Sequence, residues 1–206
     1  ASVLLLWLAV ANFFTIRRPA PAIERSETVT ILIPVRNEEE NIADLVLSLQ
    51  AQQFIVKPEI IFINDSSTDE TSEKLQEAQD GGAQIKVINA PELPDGWLGK
   101  PWALQQGYLP AKGEIVVTLD ADVRFFKNNA IQDAVNTIES KNLDLIGLKI
   151  KCYDGNVRTQ IGFTMFNTIN SIMKYKVPFA VGAFMLTRTD KFNEFCGFSE
   201  KYQTSE

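Results

Sequence analysis

The chain reads as an α/β domain built on a mostly parallel central sheet. Two observations predict this. Short β-branched runs alternate with segments of helical apolar spacing, and acidic residues gather where the runs end. The first run, residues 28–34, is Thr-Val-Thr-Ile-Leu-Ile-Pro, a buried strand closed by proline. Asn37 is placed to cap a helix whose first turn carries Glu38, Glu39 and Glu40, at the positive end of the helix dipole. Ile42, Leu45, Val46 and Leu49 then recur at helical spacing, so this helix buries one face.

The second unit repeats the design. Residues 60–63 form a strand, and Ser67 with Glu70 makes a capping box ahead of a helix running through Leu75 and Ala78. Gly81-Gly82 ends that helix, and residues 85–88 are a third strand. After a loop over 90–99 come a helix near 101–108, a strand at 115–119, a helix near 129–140 and a strand at 143–150. Residues 158–175 carry an apolar stripe of Ile161, Met165, Ile169 and Ile172 that predicts another helix. Residues 179–186 are small and apolar, a strand that approaches the ligand cleft at Gly182.

Composition excludes several classes of function. At 206 residues, 45% hydrophobic and 22% charged, the chain can build one globular domain with a full core. A formal net charge of -6 argues against a nonspecific nucleic-acid binder, but allows a phosphate-bearing ligand wherever a bound cation reverses the local field. Two cysteines, Cys152 and Cys196, are too few for a disulfide framework. With no histidine at all, Ser-His-Asp and Cys-His catalysis are eliminated within this chain.

The first 16 residues carry no charge and precede Arg17-Arg18-Pro19. They fall short of the roughly 20 residues that span a bilayer, yet the chain opens on Ala rather than Met. A signal peptide would place its basic residues before the apolar run, not after it. The expected organisation is a truncated membrane anchor over 1–18, a linker over 19–27 and a folded domain over 28–206. The arginines would hold that domain on the cytoplasmic side. A buried core helix is the alternative reading of the apolar run.

The residues able to do chemistry lie at strand ends. Asp120 and Asp122 follow the strand 115–119, and side chains two apart on an extended chain share a face. Two carboxylates there repel unless a cation sits between them, and oxygen ligands of this kind suit Mg²⁺ or Mn²⁺ bound to substrate phosphates. A solvated turn with two surface acids is the plainer reading. Asp65 ends the second strand and can accept hydrogen bonds from a nucleobase or ribose, or simply serve the turn; Asp69 fits capping better. Lys100 follows a glycine turn near a helix N-terminus, where lysine and free amides both favour a phosphate.

Three motifs in order carry a resemblance: Ile31-Leu-Ile-Pro-Val-Arg-Asn-Glu-Glu-Glu-Asn-Ile42, Asn64-Asp-Ser-Ser-Thr-Asp-Glu-Thr71 and Thr118-Leu-Asp-Ala-Asp122. Together they resemble the inverting family 2 glycosyltransferases of the GT-A fold. The stretch from Leu93 to Ala103 is similar to the branch that glycosylates carotenoid-acid or hopanoid-type lipids at membranes. The resemblance implies that Pro34, Asn37 and Glu38 border the nucleotide pocket, that Asp65 contacts uridine, and that Lys100 lies near the sugar donor. It further implies that Asp120 lies near the ribose and diphosphate, and that Asp122, with Asp120, binds the divalent cation. Val181-Gly-Ala-Phe184 is similar to the segment lining the acceptor cleft, and the general base is expected just beyond Glu206. The implied partners are a nucleotide-diphosphate sugar, a membrane-borne lipid acceptor and the membrane itself. The rival readings are a processive polysaccharide synthase of the same fold, a receiver-like phospho-acceptor module and a non-catalytic membrane scaffold.

Overall fold

The computed structural model describes residues 27–148, 183–194 and 197–198. These form six strands and five helices: β1 (Val29–Val35), α1 (Glu39–Gln50), β2 (Glu59–Asn64), α2 (Thr71–Asp80), β3 (Lys86–Asn89), α3 (Gly99–Tyr108), β4 (Ile115–Leu119), α4 (Ala130–Ser140), β5 (Leu145–Gly147), β6 (Phe184–Arg188) and α5 (Thr189–Glu194). The strands make one sheet in the order β3-β2-β1-β4-β6-β5. β1 pairs in parallel with β2 and with β4, and β2 pairs in parallel with β3. Only β6 runs against its neighbours, between β4 and β5.

Alternation along the central strands divides the core in two. Ile31, Ile33 and Val35 of β1, with Val117 and Leu119 of β4, face a layer made by Ile42 and Leu45 of α1 and Ile131 and Val135 of α4. Leu32, Ile61, Ile63 and Val116 face the other side, where Ala103 and Leu104 of α3 cover them. A strand buried on both faces has few polar positions to spare, which is why β1 and β4 read as apolar runs broken only by Thr30 and Thr118, themselves buried. Burying each such side chain contributes about 1.5–3 kcal/mol.

Helix starts differ from the expectation. Asn37 does not cap α1; it sits at φ 56, two residues before the helix begins, and Glu38 is the capping position without a side-chain cap bond. The Ser67–Glu70 box does not form either. Asp69 instead accepts from the Thr71 amide at 3.0 Å and its hydroxyl at 2.6 Å, so the Asp69 side chain turns the chain into α2. α3 begins at Gly99, and Pro101 falls in its first turn, where its missing N–H costs no helical bond.

β5 is shorter than the 143–150 expected. Asn142 turns left-handed (φ 45) and the Leu143 amide bonds Ile138 O at 2.9 Å, so the beginning of that run closes α4. The apolar run over 1–16, most of the linker, the helix expected over 158–175, both cysteines and Gly182 lie outside the described residues. Among the described residues no helix is long and apolar enough to cross a membrane.

Candidate functional site

β2, β1 and β4 lie side by side and in parallel, so their C-terminal ends open on one edge of the sheet. A cleft of about 340 Å³ occupies that edge. Pro34, Arg36 and Glu38 enter it from the end of β1, Asp65 from β2, Asp120 and Asp122 from β4, and Gly99 and Lys100 from the first turn of α3. Six of the seven residues singled out in the sequence, namely Pro34, Glu38, Asp65, Lys100, Asp120 and Asp122, thus line a single cleft. Asn37 does not line it.

The charges in the cleft are paired across strands. Lys100 Nζ donates to Asp120 Oδ1 at 2.6 Å, a contact between half-exposed groups. Arg36 Nη1 lies 3.5 Å from Asp65 Oδ2; the Asp65 side chain is 13% exposed and that of Arg36 63%, so the arginine is the solvated partner. Asp65 is held close under α3, because a Cβ on Gly99 would come within 3.0 Å of Asp65 Oδ2. A larger residue at 99 would make the carboxylate give by a few tenths of an ångström.

Hydrogen bonds between the two loops set the spacing of Glu38 and Asp65. The Asn37 amide donates to Ser67 Oγ at 3.1 Å, and Asn37 Oδ1 accepts from the Thr68 amide at 2.8 Å. Glu38 and Glu39 amides donate to Thr71 Oγ1 and Asp69 Oδ2, at 2.8 and 3.2 Å. Asn37 therefore joins the β1–α1 loop to the β2–α2 loop instead of bordering the cleft. Partial desolvation pushes the Asp69 carboxyl upward, but bonds from Thr71 and Glu39 outweigh it and hold the group below its ordinary value.

The oxygen donors suit a divalent cation shared with a substrate. Among the described residues no three His, Cys, Asp or Glu side chains cluster as a protein-only metal cage. Asp120 and the exposed Asp122 supply two carboxylates from one turn, and Lys100 shows that Asp120 accepts a cation at short range. Mg²⁺ and Mn²⁺ commonly take one or two carboxylates and complete their shell with phosphate oxygens and water. Arg36 was missed in the sequence. It stands inside the Ile-Pro-Val-Arg run, and being the one cation at that strand end was the available signal.

Comparison with known proteins accords with this geometry. The glycosyl transferase family 2 profile matches residues 30–196. The 4,4'-diaponeurosporenoate glycosyltransferase of Staphylococcus aureus is 31% identical over 156 residues, which cover 70% of this chain and 40% of that protein. The chain thus spans about two fifths of the length of the curated relatives it matches. Among solved structures, a Pyrobaculum calidifontis mannosyltransferase in complex with GDP-Man and Mn²⁺ superposes with a TM-score of 0.73 at 20% identity, over 95% of this chain and 55% of its own. S. aureus TarS with UDP-GlcNAc superposes with a TM-score of 0.60 at 25% identity, over 82% and 47% of the two chains.

Proposed function

From the premise that this chain belongs to glycosyl transferase family 2, we propose that its cleft binds a nucleoside-diphosphate sugar, a UDP-sugar by preference, and passes the sugar with inversion to a lipid-type acceptor at a membrane. The observation that carries this reading is the convergence of Asp65, Lys100, Asp120 and Asp122 from three neighbouring elements on one cleft. The GT-A fold expected from the motifs is the fold observed. A receiver-like module has no place in this family.

Each residue has work suited to its place. Asp65, shielded beneath α3, accepts hydrogen bonds from the N–H edge of a base. Pro34 and Glu38 close the nucleotide side of the cleft. Lys100 and the free amides at the start of α3 face the diphosphate, stabilising charge that grows as the sugar leaves. Asp120 and Asp122 would hold Mg²⁺ or Mn²⁺, which supplies neutralisation of the leaving group when bound. An acceptor carboxylate arrives already nucleophilic, whereas a hydroxyl needs a base. The name of the S. aureus relative supports the first kind of acceptor. The apolar run ahead of Arg17 and Arg18 supports a membrane-anchored domain facing the cytoplasm.

Calorimetric titration with UDP, with and without Mn²⁺, tests pocket, nucleotide and cation at once. Binding that depends on the cation is expected. No binding under either condition would remove the functional reading.

A further inference from the structure

Arg124 stands two residues after Asp122 and outside the cleft lining, yet its guanidinium joins the turn that carries Asp120 and Asp122 to the first turn of α1, next to Glu38. Nη1 donates to Ala121 O at 2.8 Å and Val123 O at 2.9 Å. Nη2 donates to Asn41 O at 3.0 Å and Asn41 Oδ1 at 3.1 Å. Asn41 Nδ2 in turn donates to Glu38 Oε2 at 2.7 Å, and Glu38 lines the cleft. One side chain therefore connects the Asp120-Ala121-Asp122 turn, through Asn41, to the acid at the start of α1.

This fork does more than fill hydrogen bonds. Besides the fork, the turn is held by Val123 N on Asp120 O at 3.2 Å, Asp120 N on Ala183 O at 3.0 Å and Lys100 Nζ on Asp120 Oδ1 at 2.6 Å; just past it, Phe125 N donates to Ser48 Oγ of α1 at a longer 3.3 Å. All four acceptors of Arg124 are neutral oxygens, and among the described residues it forms no ion pair. Its planar shape lets one end cap the turn while the other grips α1, which a lysine's single ammonium cannot reproduce.

We infer that Arg124 is a positioning residue that clamps the Asp120–Asp122 turn onto α1 and so sets the spacing between the cation-binding carboxylates and Glu38. The inference rests on the nucleotide-sugar reading of the cleft. It predicts that the clamp matters for cation-dependent nucleotide binding and little for the base and ribose end.

The test compares the full chain with Arg124→Lys and Arg124→Met. UDP affinity is measured with Mn²⁺ and with EDTA, and amide exchange is followed over residues 120–124. Loss of outer-shell support commonly lowers metal affinity by about 10–100-fold. Both variants are expected to lose about tenfold in affinity with Mn²⁺, keep the residual affinity in EDTA, and exchange faster over 120–124. Lysine, which preserves charge, should rescue neither. Equal losses with and without Mn²⁺, or full rescue by lysine, would overturn the proposal. If either variant does not fold, Asn41→Ala, which removes one fork contact and the link to Glu38, is read the same way with a smaller loss. If the unaltered chain takes up no UDP, the functional reading fails, and the exchange data alone decide the clamp: unchanged exchange ends it.

Discussion

An ammonium 2.6 Å from a carboxylate oxygen at a half-exposed site adds little to folding, about 0–1 kcal/mol. The Lys100–Asp120 pair is better understood as charge management. With no cation bound, Lys100 neutralises Asp120; with cation and diphosphate present, Asp120 can turn to the cation and Lys100 to the phosphate. Lys100→Met should then move two affinities in opposite directions. Mn²⁺ alone should bind about fivefold tighter, by electron paramagnetic resonance titration, because a neighbouring charge worth about 1 kcal/mol is gone. UDP in the presence of Mn²⁺ should bind about tenfold more weakly. Both affinities moving the same way would show that the pair is only a surface contact.

Asp69 is the residue where pH speaks most directly. Its carboxyl is held below the ordinary 3.8, with partial desolvation opposed and exceeded by the Thr71 and Glu39 donors. A depressed folded value means the stabilisation is complete above the unfolded value and is lost as pH falls through the folded one. Asp69→Asn, which cannot accept both donors as an anion does, should lower the urea midpoint at neutral pH. The gap between the two proteins should close below about pH 4. A gap that persists unchanged at pH 3 would place the effect elsewhere.

At the level of elements, the central strands were legible and the caps of α1 and α2 were not, for one physical reason. A parallel strand buried on both faces is apolar along most of its length, so β1, β2 and β4 announce themselves locally. A helix start can borrow its partners from another loop. Asn37, Ser67 and Asp69 are all good capping residues by type, but the fold spends the first two across the loops: Ser67 Oγ accepts from the Asn37 amide, and Asn37 Oδ1 from the Thr68 amide. Nothing in the spacing of residues 30 and 31 apart reveals that exchange.

Gly113 sets a similar long-range constraint, where the turn into β4 crosses β1. A Cβ there would lie 2.4 Å from Thr30 N and 2.7 Å from Ile115 O, both backbone atoms that no rotamer change can move. Gly113→Ala should therefore destabilise by about 1–3 kcal/mol in urea unfolding. Gly113 precedes β4, at the end of the sheet away from the cleft, so cation-dependent UDP affinity should be preserved. A loss of affinity without a loss of stability would contradict this separation.

For the whole molecule, the site was legible because topology concentrates strand ends. Asp65 and Asp122, 57 positions apart in the chain, needed only the parallel order β2-β1-β4 to meet at one cleft. Arg124 was not legible, since its role depends on where the loop turns after the strand ends. The assembled cleft carries four carboxylates, Glu38, Asp65, Asp120 and Asp122, against two cations, Arg36 and Lys100. In a chain whose net charge is already -6, such a cleft repels a free nucleoside diphosphate. A bound divalent cation reverses that field, and the carboxylates become assets only then. Asp122→Asn separates the two conditions. In EDTA it removes one repelling charge, so UDP should bind about fivefold tighter than to the unaltered chain. With Mn²⁺ it removes a cation ligand, so UDP should bind at least about tenfold more weakly, and sugar transfer should fall with it. Calorimetry under the two conditions reads the crossing directly. A variant that is weaker in both, or unchanged in both, would mean that Asp122 takes no part in holding the cation and that the cleft's acids serve the fold instead.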